Sequence, residues 1–130
     1  MATELVYLGL SVILLIVQIL VQAQLATREL GLGYNASPRD QGLKPTGVVA
    51  GRAARALANL LETYPAFVGL ALALVVGQKA GGLGAIGAAV WFWARVVYLP
   101  LYLAGIPFVR GVAWGASIIG LVLMLMALFT

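Results

Sequence analysis

The chain has 130 residues, 63% hydrophobic and 9% charged, with a net charge of +4 and a mean hydropathy of +1.06. A soluble domain of this size cannot hide so much apolar surface, so lipid must be the solvent for most of it. Cysteine and histidine are both absent. That excludes disulfides, thiolate or imidazole metal sites and the commonest general base, and no metal is expected.

The first apolar run predicts a helix from about Leu5 to Ala26, long enough to span a bilayer. It has no basic leader region, carries Glu4 and lacks a clear cleavage site, so it reads as a retained helix rather than a signal peptide. Gln18 and Gln22 are four apart and share a face. The next stretch, "TRELGLGYNASPRDQGLKPTG", is punctuated by Gly, Pro, Asn and Ser and reads as a long loop over about 27–47. A second helix is expected from about 48 to 77, and "QKAGG" is a short turn. A third runs from about 83 to 103 and contains Pro100. "AGIP" ends it, with Pro107 suited to the first turn of a fourth helix over about 108–129. The fold class is therefore all-α, a single four-helix transmembrane domain.

Four spans put both termini on one side. Arg28, Arg39 and Lys44 lie in the long loop with Arg52 close by, and Arg110 lies at the connection between the third and fourth helices. Only Lys79 lies on the other side. The positive-inside rule places the long loop and Arg110 in the cytoplasm. The basic residues are dispersed among apolar runs, there is no Walker-type loop, and a nucleic-acid partner is excluded.

Within the second helix, "RALANLLETYP" carries polar groups where lipid would be expected. At about 100° per residue, Arg52, Arg55, Asn59 and Glu62 fall within an arc of roughly 80°. On the third helix, Arg95, Tyr98 and Tyr102 share one face. Counting outward from the turn near Lys79 makes Glu62 level with Arg95, Asn59 with Tyr98 and Arg55 with Tyr102. Each charge costs roughly 2.5–3.5 kcal/mol at the bilayer centre, so these residues should face the protein interior or a wet cavity. Glu62 can pair with Arg95 or Arg55. The remaining guanidinium groups, Arg110 included, predict an anionic ligand bearing carboxylates.

Each residue also has a purely structural reading. Arg52 can snorkel to headgroups, Glu62 can form an ion pair, Asn59 can join helices, and Tyr98 and Tyr102 can sit in an interfacial aromatic belt. Gln18 and Gln22 read as interhelical glue. Gly111 and Gly115 form a GxxxG, and Gly81, Gly84 and Gly87 line the start of the third helix, all permitting close packing.

"RALANLLETYPAF" (55–67) followed by "ARVVYLPLY" (94–102) resembles the membrane-associated proteins in eicosanoid and glutathione metabolism, the MAPEG family. The shared pattern is Arg, then Asn four later, Glu three later and Pro on one helix, with Arg and then Tyr seven later on the next. The four-helix layout and long first loop extend the resemblance to essentially the whole chain, and "SPRD" and "YLPLYLAGIPFVRGVAW" look most like a bacterial branch. The resemblance implies a homotrimer in the bacterial inner membrane, with glutathione as cosubstrate between subunits, open to the cytoplasmic half. It implies glutathione contacts from Arg55, Asn59, Glu62, Arg95, Tyr98 and Tyr102, and Arg52 joins the candidate binding residues from its place on the arginine-rich stripe. Arg110, with Tyr102 as an alternative, would support the thiolate. Some relatives have histidine where Tyr98 stands, the segment from Tyr102 to Arg110 differs in length, and Gly111 stands where a prostaglandin-forming relative has serine. The implied activity is a glutathione transferase or peroxidase acting on lipophilic electrophiles or lipid hydroperoxides. The rivals are a small four-helix transporter and a non-catalytic protein that holds an anionic lipid. Small exporters use a glutamate within the first helix, whereas here Glu4 lies at its edge and the surplus arginines repel cationic cargo.

Overall fold

The computed structural model describes residues 1–31, 33, 37, 38 and 47–130. Among these residues are four helices, α1 (Thr3–Leu30), α2 (Val48–Val76), α3 (Gly82–Ala104) and α4 (Pro107–Phe129). Helices of 23 to 29 residues are about 34–44 Å long at 1.5 Å per residue. Each exceeds the ~30 Å hydrocarbon core and is apolar enough to cross it. The chain is an integral membrane protein. Arg39 and Lys44 lie outside the described residues.

The first helix runs four residues beyond its expected end at Ala26, so the connection begins after Leu30. The segment "TREL" contains good helix formers, and the helix stops only at Gly31, with φ of 89°. Glu29 on that extra turn accepts a hydrogen bond from the Gly47 backbone N–H at 2.6 Å, placing a carboxylate at the start of α2. Other helix ends follow the sequence closely. Gly105 ends α3 in the left-handed region and Pro107 opens α4. Lys79 Nζ donates to the Leu128 carbonyl at 2.8 Å, tying the α2–α3 turn to the far end of α4.

The first helix inverts the logic of a soluble bundle. The buried residues of α1 are Glu4, Ser11 and Gln18, spaced by seven, while Val12, Ile13, Ile16, Val17 and Leu20 are exposed. In lipid, apolar side chains lose nothing by facing outward and polar ones must find partners inside. Glu4 Oε2 accepts from the Gly81 N–H at 2.8 Å, at the N-terminus of α3. Ser11 donates to the Leu8 carbonyl, so the Tyr64 hydroxyl donates to Ser11 Oγ at 2.8 Å.

Against this stripe α2 presents Leu60, Tyr64, Phe67, Ala71 and Leu74, a 4-3-4-3 spacing that meets Ala88, Trp91 and Phe92 of α3 and Met124 and Ala127 of α4. The Phe67 and Trp91 rings stack at 3.9 Å. α3 and α4 are in closest contact at Gly87 and Gly120, where an added Cβ would lie within 2.6 Å of the opposing backbone. Gly84 and Gly87 are buried as expected, whereas Gly111 and Gly115 have open space around them within the chain. Among the described residues α1 and α4 make no helix-to-helix contact and flank the α2–α3 pair.

Candidate functional site

The α2 and α3 stripes meet at the end of the bundle near the α3–α4 turn. Arg95 Nη1 donates to Asn59 Oδ1 at 2.8 Å. Its guanidinium carbon lies 4.4 Å from the centre of the Tyr98 ring. Tyr98 and Tyr102 are tilted against each other at 5.5 Å. Arg55 Nε donates to the Tyr102 hydroxyl at 3.3 Å, and the Arg110 guanidinium stands 4.6 Å over the Tyr102 ring. Asn59, Arg95, Tyr98, Tyr102, Arg55 and Arg110 thus form one connected polar cluster drawn from three helices.

The cluster has an inner and an outer layer. Arg95 is wholly buried and Tyr98 nearly so. Arg55 and Glu62 are exposed, while Asn59, Tyr102 and Arg110 are partly exposed. The level of Arg55 with Tyr102, expected from counting along the hairpin, is met by a direct hydrogen bond. Asn59 meets Arg95, one turn from the expected Tyr98, because the arginine stem is long enough to reach along the helix axis.

Two expectations change. Glu62 forms no hydrogen bond with Arg55 or Arg95 among the described residues, although its carboxylate is near enough to act electrostatically on the Arg95 guanidinium. It faces outward from α2, and Asn59 and Tyr102 take the arginine donors instead. Arg52 points to the end of α3, where Nη1 donates to the Leu103 carbonyl at 3.2 Å. A cation there satisfies a terminal carbonyl and the negative helix end. A Cβ at Gly105 would come within 2.5 Å of the Arg52 guanidinium, and Gly105 has φ of 74°. Glycine at 105 therefore serves both the chain reversal and the seat of Arg52.

An apolar groove of about 390 Å³ runs between α3 and α4, lined by Trp93, Val97, Leu101, Val109, Val112 and Ala116 among others. Leu101 and Val109 are the chain neighbours of Tyr102 and Arg110, so the groove starts beside the cluster. Sequence reading did not single out this groove, nor the burial of Glu4, Ser11 and Trp91. Serine at one heptad step from Glu4 was the available signal for the α1 stripe.

Arginines on an aromatic platform, with their outer faces accessible, can hold carboxylates and stabilise a developing anion. Among the described residues no group of acidic side chains could hold a metal ion. No curated protein and no solved structure matches the chain. Residues 5–130 match the MAPEG family, essentially the whole chain. The chain belongs to the MAPEG family.

Proposed function

We propose that this protein is a glutathione-dependent transferase or peroxidase for lipophilic electrophiles or lipid hydroperoxides. The observation that carries this reading is the Arg55–Tyr102–Arg110 arrangement, two guanidinium groups on one tyrosine at the accessible edge of the bundle. Glutathione has two carboxylates and one ammonium. Arg55, with Arg52 at the margin, suits a carboxylate, and the outward Glu62 suits the ammonium. Asn59, Arg95 and Tyr98 complete the binding wall.

Family membership supports a homotrimer with the thiol between subunits. The outward aspect of Glu62 and Arg55 agrees with that, because a neighbouring copy would enclose them. The basic residues around the long connection favour the cytoplasmic side of a bacterial inner membrane.

The chemistry needs a thiolate, because the thiol is a poor nucleophile. With no histidine in the chain, activation must be electrostatic. Arg110 favours the charged sulfur, and the Tyr102 hydroxyl is the alternative donor. In the transferase reaction the thiolate forms a sulfur–carbon bond and the leaving group departs with its electron pair. With a hydroperoxide, sulfur attacks oxygen, the O–O bond breaks and the alcohol leaves. The resulting sulfenic acid is reduced by a second thiol to the disulfide and water. The α3–α4 groove offers a lipid-soluble reactant a route beside Arg110.

An ultraviolet difference titration with glutathione tests this. A saturable thiolate band is expected for the wild type. Arg110→Ala should bind glutathione by calorimetry yet lose most of that band. No band and no heat of binding in the wild type would shift the assignment to an anionic-lipid holder, which the same arginines would serve.

A further inference from the structure

The last turn of α3 carries Tyr102 and leads into the turn before Arg110, and Arg52 and Arg55 of α2 both hold it. A helix leaves its final carbonyls without intrahelical partners. Here the Ile106 and Gly105 N–H groups donate back to the Leu101 and Tyr102 carbonyls at 3.1 and 3.0 Å. The Leu103 carbonyl is left over, and Arg52 Nη1 donates to it at 3.2 Å. One turn along α2, Arg55 Nε donates to the Tyr102 hydroxyl at 3.3 Å.

The Arg52 guanidinium also lies against the turn itself. A Cβ built at Gly105 would fall 2.5 Å from its central carbon and from Nη2, and 2.8 Å from Nη1. The planar group therefore covers that side of Gly105 rather than touching it with one tip. Gly105 has φ of 74°, and only Ile106 separates it from Pro107, where α4 begins. Arg110 is in the first turn of α4, so the path of the chain at Gly105 sets where its guanidinium stands. Helix packing restrains Arg110 less closely. The backbone-to-backbone contact of α3 with α4 is at Gly87 and Gly120, far from the turn. Nearer to it, the apolar groove lined by Leu101, Val109 and Val112 lies between the two helices. The contact of Arg110 with the Tyr102 ring, at 4.6 Å, is a cation on a π face and fixes no single direction.

We propose that Arg52 is a positioning residue for thiolate formation. Seated on Gly105 and the Leu103 carbonyl, it holds the α3–α4 turn in the conformation that puts Arg110 over Tyr102, and it acts on the sulfur only through that turn. The inference rests on the reading of the outer cluster as the thiol site. It gives Arg52 a task beyond any charge it lends a carboxylate at the margin. Loosening the turn moves a cation away from the sulfur, so less of the bound thiol is ionised at a given pH.

The test compares the wild type with Arg52→Met, Arg52→Lys and Gly105→Ala in detergent. The first readout uses thiol-free protein and hydrogen exchange. In Arg52→Met the Gly105 and Ile106 amides should exchange about tenfold faster or more. The Lys79 amide in the α2–α3 turn, which donates to the Leu74 carbonyl at 2.8 Å, should keep its rate. The second readout is the pH at which half of the bound glutathione gives the thiolate band, which Arg52→Met should raise by about one pH unit. Affinity for S-methylglutathione, whose sulfur cannot ionise, should stay within about threefold by calorimetry. Gly105→Ala removes no charge, yet it should raise the same midpoint, and combining it with Arg52→Met should add little further. Arg52→Lys keeps a donor for the Leu103 carbonyl and should recover part of both effects. If Gly105→Ala does not fold, the two Arg52 variants carry the test. A roughly tenfold loss of S-methylglutathione affinity in Arg52→Met with an unmoved midpoint would overturn the proposal and make Arg52 a carboxylate contact. Unchanged amide exchange in Arg52→Met would overturn it as well. Absence of both binding and thiolate band in the wild type would instead overturn the thiol reading, and amide exchange would still decide whether Arg52 holds the turn.

Discussion

Arg95 and Asn59 illustrate how polar residues are tolerated inside this membrane bundle. The arginine is wholly buried, and its single hydrogen bond among the described residues goes to an amide oxygen on a neighbouring helix. Removing that acceptor leaves a buried guanidinium with still fewer partners. Asn59→Ala should lower stability by about 2–3 kcal/mol, read as a fall in unfolding midpoint in detergent. Asn59→Asp, which supplies a carboxylate instead, should lose much less. Equal losses in the two variants would mean that the Asn59–Arg95 bond contributes little. The spacing of 59, 95, 98 and 102 was legible because helical periodicity alone puts them on facing stripes. Which partner each one took was not, since side-chain reach along the axis decides that.

At the scale of helices, glycine has two different roles. Gly87 and Gly120 let α3 and α4 approach until backbone meets backbone, whereas Gly111 and Gly115 face open space. An added methyl at 120 would meet the Trp91 backbone at 2.6 Å. Gly120→Ala should therefore destabilise the fold by about 1–3 kcal/mol through overpacking, visible in thermal unfolding. Gly115→Ala should leave the stability of the single chain unchanged. If Gly115→Ala instead reduces the size of the assembly, Gly115 lies between copies. The GxxxG pair takes no part in packing within the chain, whereas Gly84 and Gly87, at the start of α3, do. Periodicity identifies small residues but cannot say which face of a helix has a neighbour.

In the whole molecule α1 buries its polar residues and turns aliphatic ones outward, α2, α3 and α4 enclose an apolar core, and an arginine–tyrosine cluster stands at one end. Glu62 is exposed beside that network and is not hydrogen-bonded to it, although its carboxylate acts electrostatically on Arg95. If a neighbouring subunit closes the site over it, Glu62→Gln should weaken glutathione binding or lower the proportion of trimer. Calorimetry and sedimentation in detergent measure the two effects. Unchanged affinity and unchanged trimer content would remove Glu62 from the site.

The sequence by itself determined the medium, the number of spans and their approximate bounds, because hydropathy and helical period are local properties of the chain. It also determined the two polar stripes and the family, since both rest on spacing along single helices. Only the tertiary structure decided that Arg52 satisfies the end of α3, that Arg95 is enclosed and that Glu62 is left outside. The same holds for the polar heptad of α1, whose partners Gly81 and Tyr64 lie far along the chain. Burial and pairing depend on which helix faces come together, and that is a property of the packed bundle rather than of any one segment.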